Sequence, residues 1–239
     1  MWLERTSTLI GEESLLKLIA SRVAVFGLGG VGSYAAESLA RAGIGAIDVV
    51  DGDIYSETNL NRQLFATLNT IGAGKADAAK ARIISINPGC DVTAYGFYFD
   101  EETKERFDLS RYDYVVDAID SVNQKVLLIK LCKDSEVKII SSLGAANRLR
   151  PELFRITDIY KTSVDPLAKV LRQKLRKAGI KDLKTVCSLE EPVKPVVGGA
   201  LGSLSCVTAA AGLVLAGEVI RDLISDPRNV LQPLKQRVT

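Results

Sequence analysis

The chain has 239 residues, 47% of them hydrophobic and 25% charged, with 31 Lys and Arg against 29 Asp and Glu for a net charge of +2. That length and composition suit one substantial core, and a nearly neutral total argues neither for nor against a nucleic-acid partner. Histidine is absent, which excludes Ser-His and Cys-His catalysis, HExxH metalloproteases and histidine-ligated zinc deaminases.

Apolar residues at helical spacing over 9–19 predict a short amphipathic helix, with Arg5 in an exposed lead ahead of it. The apolar run Val23-Ala24-Val25-Phe26 reads as a strand, followed by the glycine-rich turn Gly27-Leu28-Gly29-Gly30-Val31-Gly32. A helix over 31–42 stops at Gly43, and a second strand over 47–50 is closed by Asp51. A helix over 74–86 ends at Asn87-Pro88-Gly89, and a strand over 91–97, a buried strand over 114–118, a helix over 125–133 and a strand over 138–142 follow. Strands alternating with helices predict an α/β fold, a Rossmann-like, mainly parallel sheet with helices on both faces. Ligands of such sheets bind at the carboxyl ends of the strands, where Gly27, Asp51 and Asp117 fall.

After Gly144 the rhythm changes, dividing the chain into a nucleotide-binding core over 1–150 and a substrate-binding and dimerisation segment over 151–239. Residues 165–178 form a basic amphipathic helix carrying Lys169, Arg172, Lys174, Arg176 and Lys177. Such a face is either simply solvated or a contact surface for a nucleic-acid backbone. Residues 184–202 read as a loop whose one thiol is Cys187, and the stretch 192–202 as a mobile or closely packed loop. Residues 201–220 are long and apolar, but Ser203, Ser205, Thr208 and Glu218 favour a buried or subunit-interface helix over a membrane span. The four cysteines, Cys90, Cys132, Cys187 and Cys206, include no CxxC pair, and no secretory signal is apparent. Neither a disulfide framework nor structural zinc is expected, and a reducing cytoplasm is the expected location.

The glycine turn lets the backbone approach a phosphate at a helix start, and an acid about 20 residues on holds ribose hydroxyls. Gly27, Gly29, Gly30 and Gly32 fill the first role and Asp51 the second, with Asp53 beside it as a further ligand or a turn residue. A dinucleotide site rarely needs the cations and amides that come next, Asn59, Arg62, Gln63 and Lys75. A triphosphate attacked at phosphorus does, because negative charge must be stabilised as pyrophosphate leaves. In Asp117-Ala118-Ile119-Asp120, just past a buried strand, Asp120 suits Mg²⁺ and Asp117 suits either a ligand role or a cap on the next helix.

As a set these residues resemble the E1-like, ThiF-type family of adenylating enzymes. The resemblance rests on Gly27-Leu28-Gly29-Gly30-Val31-Gly32, Asp51, Asn59-Leu60-Asn61-Arg62-Gln63, Lys75 thirteen residues beyond Arg62, and Asp117-Ala118-Ile119-Asp120. It implies that Asp51 binds the ATP ribose, Arg62 and Lys75 the phosphates, and Asp120 the magnesium, with Arg5 supplied across a homodimer. Sulfur-carrier activators of that family usually hold zinc with CxxC pairs, which this chain lacks. The segments Asp158-Ile159-Tyr160-Lys161-Thr162-Ser163-Val164-Asp165-Pro166-Leu167-Ala168 and Ser188-Leu189-Glu190-Glu191-Pro192, with the basic helix, look like one branch, the tRNA threonylcarbamoyladenosine dehydratases. That resemblance implies tRNA carrying threonylcarbamoyladenosine as substrate and leaves a sulfur-relay protein as a further partner. The rival readings are an activator of a carrier protein's carboxyl terminus, an NAD-dependent oxidoreductase and a non-catalytic nucleotide sensor.

Overall fold

The structure is a computed structural model, and it describes residues 2–198 and 201–224. Two helices open the chain, α1 (Glu4–Ile10) and α2 (Glu12–Ala20). They are separated by Gly11, whose φ of +83° breaks the helical path that a single helix over 9–19 would need. Arg5 therefore lies on α1 and not in an irregular lead.

The first half then alternates as its pattern requires: β1 (Arg22–Phe26), α3 (Gly32–Ala42), β2 (Ala46–Val50), α4 (Lys75–Ile86), β3 (Asp91–Tyr95), β4 (Tyr114–Asp117), α5 (Val122–Asp134) and β5 (Ile139–Ser142). The second half adds β6 (Phe154–Asp158), α6 (Pro166–Lys177), β7 (Lys184–Ser188) and α7 (Ser205–Ile224). The seven strands make one sheet in the order β3-β2-β1-β4-β5-β7-β6. Every pairing is parallel except that of β6 with β7. Residues 184–188 are thus a sheet strand and not part of a loop. The chain after residue 150 joins the first half directly through β7 against β5. Of the loop expected over 192–202, Gly199 and Ala200 lie outside the described residues.

Period-two alternation assigns the two faces. Val23 and Val25 of β1 join the buried cluster under α2, α3, α4 and α7, whereas Ala24 and Phe26 join the cluster under α5 and α6. The basic helix α6 obeys the period of 3.6, burying Ala168, Leu171 and Leu175, and Asp165 caps it by accepting from Ala168 N–H at 2.9 Å. The long apolar segment becomes α7, whose buried side packs on α3. No helix among the described residues is long and apolar enough to cross a membrane.

One charged pair is fully enclosed: Lys125 of α5 and Asp117 at the end of β4 lie 2.8 Å apart, both inaccessible to solvent. Asp117 also accepts from Ser141 Oγ and from Ile119 N–H, the latter at 3.2 Å. Desolvating such a pair costs several kcal/mol, and each fully buried aliphatic neighbour contributes about 1.5–3 kcal/mol. The surrounding core thus outweighs the cost. Lys125→Met leaves the Asp117 carboxylate unpaired and should destabilise the protein by about 3–5 kcal/mol in urea unfolding. Adding Asp117→Asn should recover much of that loss, and a double variant no more stable than the single one would contradict the pairing.

Candidate active site

The strand order reverses between β1 and β4, which is where open α/β sheets bind ligands. Register brings the strand ends level, since Phe26 pairs with both Val50 and Asp117. Gly27 N–H then donates to Val50 O at 2.8 Å, and Ala118 N–H to Phe26 O at 2.8 Å. The turn needs glycine for steric reasons. Gly27 has φ +86°, and a Cβ there would lie 2.6 Å from Ala118 O, while a Cβ on Gly32 would lie 1.8 Å from Gly27 O. The turn is thereby pressed against β4, and α3 begins at the mouth of a cavity of about 600 Å³.

The cavity brings together most of the residues singled out in the sequence: Gly27, Gly29, Gly30, Asp51, Asp53, Asn59, Arg62, Gln63, Lys75 and Asp120 all line it. Asp51 Oδ2 accepts from Leu28 N–H at 2.7 Å and Oδ1 from Asp53 N–H at 2.9 Å, tying the glycine turn to the end of β2. Burial raises the Asp51 pKa, against the opposing pull of Lys75 and those two amides. Lys75, buried at the start of α4, places Nζ 2.7 Å from Asp53 Oδ2. Burial alone would raise the Asp53 pKa, but hydrogen bonds from Lys75 and Tyr98 more than offset it and hold the carboxyl below its ordinary value. Tyr98 in turn is pushed up to about 12 by its hydrogen bond to Asp53.

Arg62 Nη1 donates to Thr58 O at 2.7 Å and to Asn61 Oδ1 at 3.0 Å. Asn59 is half of a capping box with Ser56, its Oδ1 accepting from Ser56 N–H at 3.1 Å. Gln63 is buried with its Oε1 lacking any hydrogen-bond partner, beside the bare backbone of Gly29. A buried acceptor left unpaired is costly, and a ligand hydroxyl or amine in the cavity would satisfy it. The exposed Asp120 carboxylate is a hard oxygen donor at the same mouth, and no cluster of three or more His, Cys, Asp or Glu among the described residues could cage a metal. That donor set fits Mg²⁺ held by a carboxylate together with ligand phosphates and water.

Several expected residues sit elsewhere. Asp117 is not a cavity residue, because its carboxylate is spent on Lys125 and Ser141 beneath the floor. Gly32 acts through close packing and does not line the cavity. Arg5 lies on α1, whose preceding Leu3 packs at Gly43, the far end of α3 from this cavity. Cys187 is buried on β7, and burial pushes its thiol up to about 11, a poor acceptor for an activated acyl group. Of the α6 cations, Arg172 is held by Thr162 (Nη1 to O, 3.0 Å), Lys174 by Asn123 (2.9 Å), and Arg176 stacks over the Tyr160 ring at 5.1 Å. Lys174 and Arg176 stay exposed despite these contacts, as do Lys169 and Lys177.

The sequence reading missed a second wall, formed by Ser142, Leu143, Gly144, Ala145, Ala146, Leu167, Leu201, Ser203 and Thr208. These residues carry little charge and belong to no short motif. Their one signal is position, following β5 or opening α6 and α7.

This geometry has close counterparts. A model of the family described as the ThiF family matches residues 3–237. The chain is 45% identical to the tRNA threonylcarbamoyladenosine dehydratase of Bacillus subtilis, over 93% of this chain and 94% of that protein. It superposes on the crystal structure of Escherichia coli tRNA N6-threonylcarbamoyladenosine dehydratase in complex with AMP with a TM-score of 0.88 and 36% identity, covering 92% of each chain. The ATP complex of the same Escherichia coli enzyme gives 0.86 at 36% identity, again over 92% of each. With the glycine turn, the acid after β2 and the Asn-Arg-Gln and Lys cluster converging on one cavity, and a family match spanning nearly the whole sequence, the chain belongs to the ThiF family.

Proposed function

We propose that this chain catalyses the ATP-dependent cyclising dehydration of N6-threonylcarbamoyladenosine in tRNA. The observation that carries the reading is a two-walled cavity, with Asp51, Arg62, Gln63 and Lys75 on the nucleotide side and the uncharged wall from Ser142 to Ala146 beyond β4. Similarity over almost the full length of dehydratases supports the choice of substrate. Activation of a carrier protein, the nearest rival, is disfavoured by the missing CxxC pairs and the buried Cys187.

In this reading a carboxylate oxygen of the threonine-derived group attacks the α-phosphorus of ATP. The bond from that phosphorus to the bridging oxygen breaks, and pyrophosphate leaves. The resulting acyl adenylate is then attacked at its carbonyl carbon by an internal nucleophile of the same nucleoside, which loses a proton as AMP departs. The nucleoside thereby loses the elements of water, and no enzyme nucleophile is needed. Asp51 holds the ribose, Asp53 and Asn59 shape its surroundings, and Gly27, Gly29 and Gly30 leave backbone room for the phosphates at the start of α3. Arg62 and Lys75 stabilise charge on the phosphates as it develops. Asp120 would hold Mg²⁺, which when bound would supply Lewis-acid neutralisation of phosphate charge.

Mass spectrometry of nucleosides should show threonylcarbamoyladenosine losing one water when modified tRNA is incubated with the protein and ATP. Lys75→Ala should slow AMP release by about 10²–10³-fold, the usual effect of removing one preorganised transition-state donor. Unchanged nucleoside in the wild-type reaction, or undiminished AMP release by the variant, would refute the assignment.

The protein acts as a homodimer in this reading, with Arg5 serving the neighbour's phosphates. Its position at the far end of α3 and the exposed Trp2, Leu9, Leu16 and Leu213 support that arrangement. Mixing inactive Arg5→Ala with inactive Lys75→Ala protein under subunit exchange should restore part of the activity, by assembling one intact site per mixed dimer. Exchange without recovery would rule out a shared site.

The tRNA backbone contacts α6, whose amino end opens at the cavity through Leu167. The exposed Lys169 and Lys177 carry the phosphate contacts, and the residues engaged within the chain, Arg172, Lys174 and Arg176, hold the helix in place. Lys169→Glu with Lys177→Glu should weaken tRNA binding and flatten its dependence on salt, leaving ATP affinity unchanged. An unaltered salt slope would return α6 to a solvated face. A cytoplasmic location suits a tRNA substrate, and a sulfur-relay protein is a compatible further partner.

A further inference from the structure

Asn147 belongs to none of the motifs that mark the nucleotide side of the cavity. It follows Ala145 and Ala146, both on the cavity wall, and adopts φ +57° without being glycine. Asparagine tolerates that left-handed region better than most residues. The conformation is put to use. Asn147 N–H donates to Gly202 O at 2.8 Å, Asn147 Oδ1 accepts from Gly202 N–H at 2.7 Å, and Asn147 O accepts from Val193 N–H at 2.8 Å. One residue therefore holds both points at which the chain departs after β7 and returns before α7.

The turn that carries Asn147 is itself anchored. Arg148 is buried, with Nε donating to Gly144 O at 2.8 Å and Nη2 to Asp165 Oδ2 at 3.0 Å. On the returning side, Leu201 and Ser203 flank Gly202 and line the cavity. Asn61 Nδ2 fixes Ser203 O at 3.1 Å. Ser203 Oγ is buried and has no hydrogen-bond partner. A buried hydroxyl left unpaired in a substrate cavity is a group awaiting a ligand.

We propose that Asn147 is a positioning residue: by pinning Gly202 it holds Leu201 and Ser203 as the substrate-facing wall, and Ser203 Oγ hydrogen-bonds the carboxylate-bearing side chain of the nucleoside. This rests on the reaction assigned above. Ser203 stands where the two walls meet, its carbonyl held by Asn61 of the nucleotide side and its neighbour Gly202 by the wall that follows β5, which suits its hydroxyl to the nucleoside carboxylate that must reach ATP.

The test compares Asn147→Gly, Asn147→Asp and Ser203→Ala in the full-length protein. Glycine retains the positive φ and the main-chain bonds but loses the Oδ1 acceptor, whereas aspartate retains the acceptor. Asn147→Gly should raise KM for modified tRNA about tenfold with kcat and the ATP Kd little changed, the pattern of lost uniform binding. Hydrogen exchange at the Gly202 amide should quicken in Asn147→Gly and return to the wild-type rate in Asn147→Asp. Ser203→Ala should raise KM similarly without altering that exchange. Wild-type KM in Asn147→Gly or Ser203→Ala, or an ATP Kd that rises in step with KM, would overturn the proposal. Failure of the assigned reaction is separately visible, as wild-type protein that binds ATP and leaves modified tRNA unchanged.

Discussion

The site depends on one close approach, the backbone of Gly27 lying against the carbonyl of Ala118 at the point where the strand order reverses. No side chain fits between them, so β1 and β4 end at one level and α3 can start directly over the cavity. Gly32 extends the constraint by bringing the first turn of α3 onto Gly27 O. Asp51 then closes the arrangement from β2 by accepting from Leu28 N–H. The floor beneath is rigid because Asp117, one residue before Ala118, is locked to Lys125 and Ser141.

Charge in the cavity follows from that framework. Lys75 is nearly enclosed, and an enclosed ammonium without a partner would carry an uncompensated desolvation cost. Asp53 supplies the partner, sharing its carboxylate with Tyr98. Arg62 is steered by Thr58 O and Asn61 Oδ1, so its guanidinium is also oriented before any anion arrives. In the proposed reaction, cations held in this way need no rearrangement when phosphate charge develops, which is the physical basis of electrostatic catalysis.

The second half of the chain completes the first instead of adding a separate layer. β7 extends the parallel sheet beside β5, and β6 seals its edge in the antiparallel sense. α7 lies so close to α3 that a Cβ on Gly212 would come within 2.4 Å of Val31 O. That proximity carries Thr208 over Gly30 and delivers Ser203 to the cavity. The second wall of the cavity is thus made by segments far apart in sequence, joined through Asn147 and Gly202.

Local pattern alone determined the alternating strands and helices of the first half, the glycine turn and the cluster of Asp51, Arg62, Gln63, Lys75 and Asp120, because periodicity and motif spacing are properties of contiguous residues. The short strands β6 and β7 were illegible for the converse reason. Phe154-Arg155-Ile156-Thr157-Asp158 and Lys184-Thr185-Val186-Cys187-Ser188 mix polar and apolar residues over five positions, and only the neighbouring strand makes them sheet. Asp117 reads as a ligand or a helix cap until β4 and α5 are packed together, when it forms a buried ion pair with Lys125. The cations of α6 likewise look equivalent in sequence. Tertiary contacts with Thr162, Asn123 and Tyr160 separate Arg172, Lys174 and Arg176, which are engaged within the chain, from Lys169 and Lys177, since hydrogen-bonding partners are decided by distance in space and not by distance along the chain.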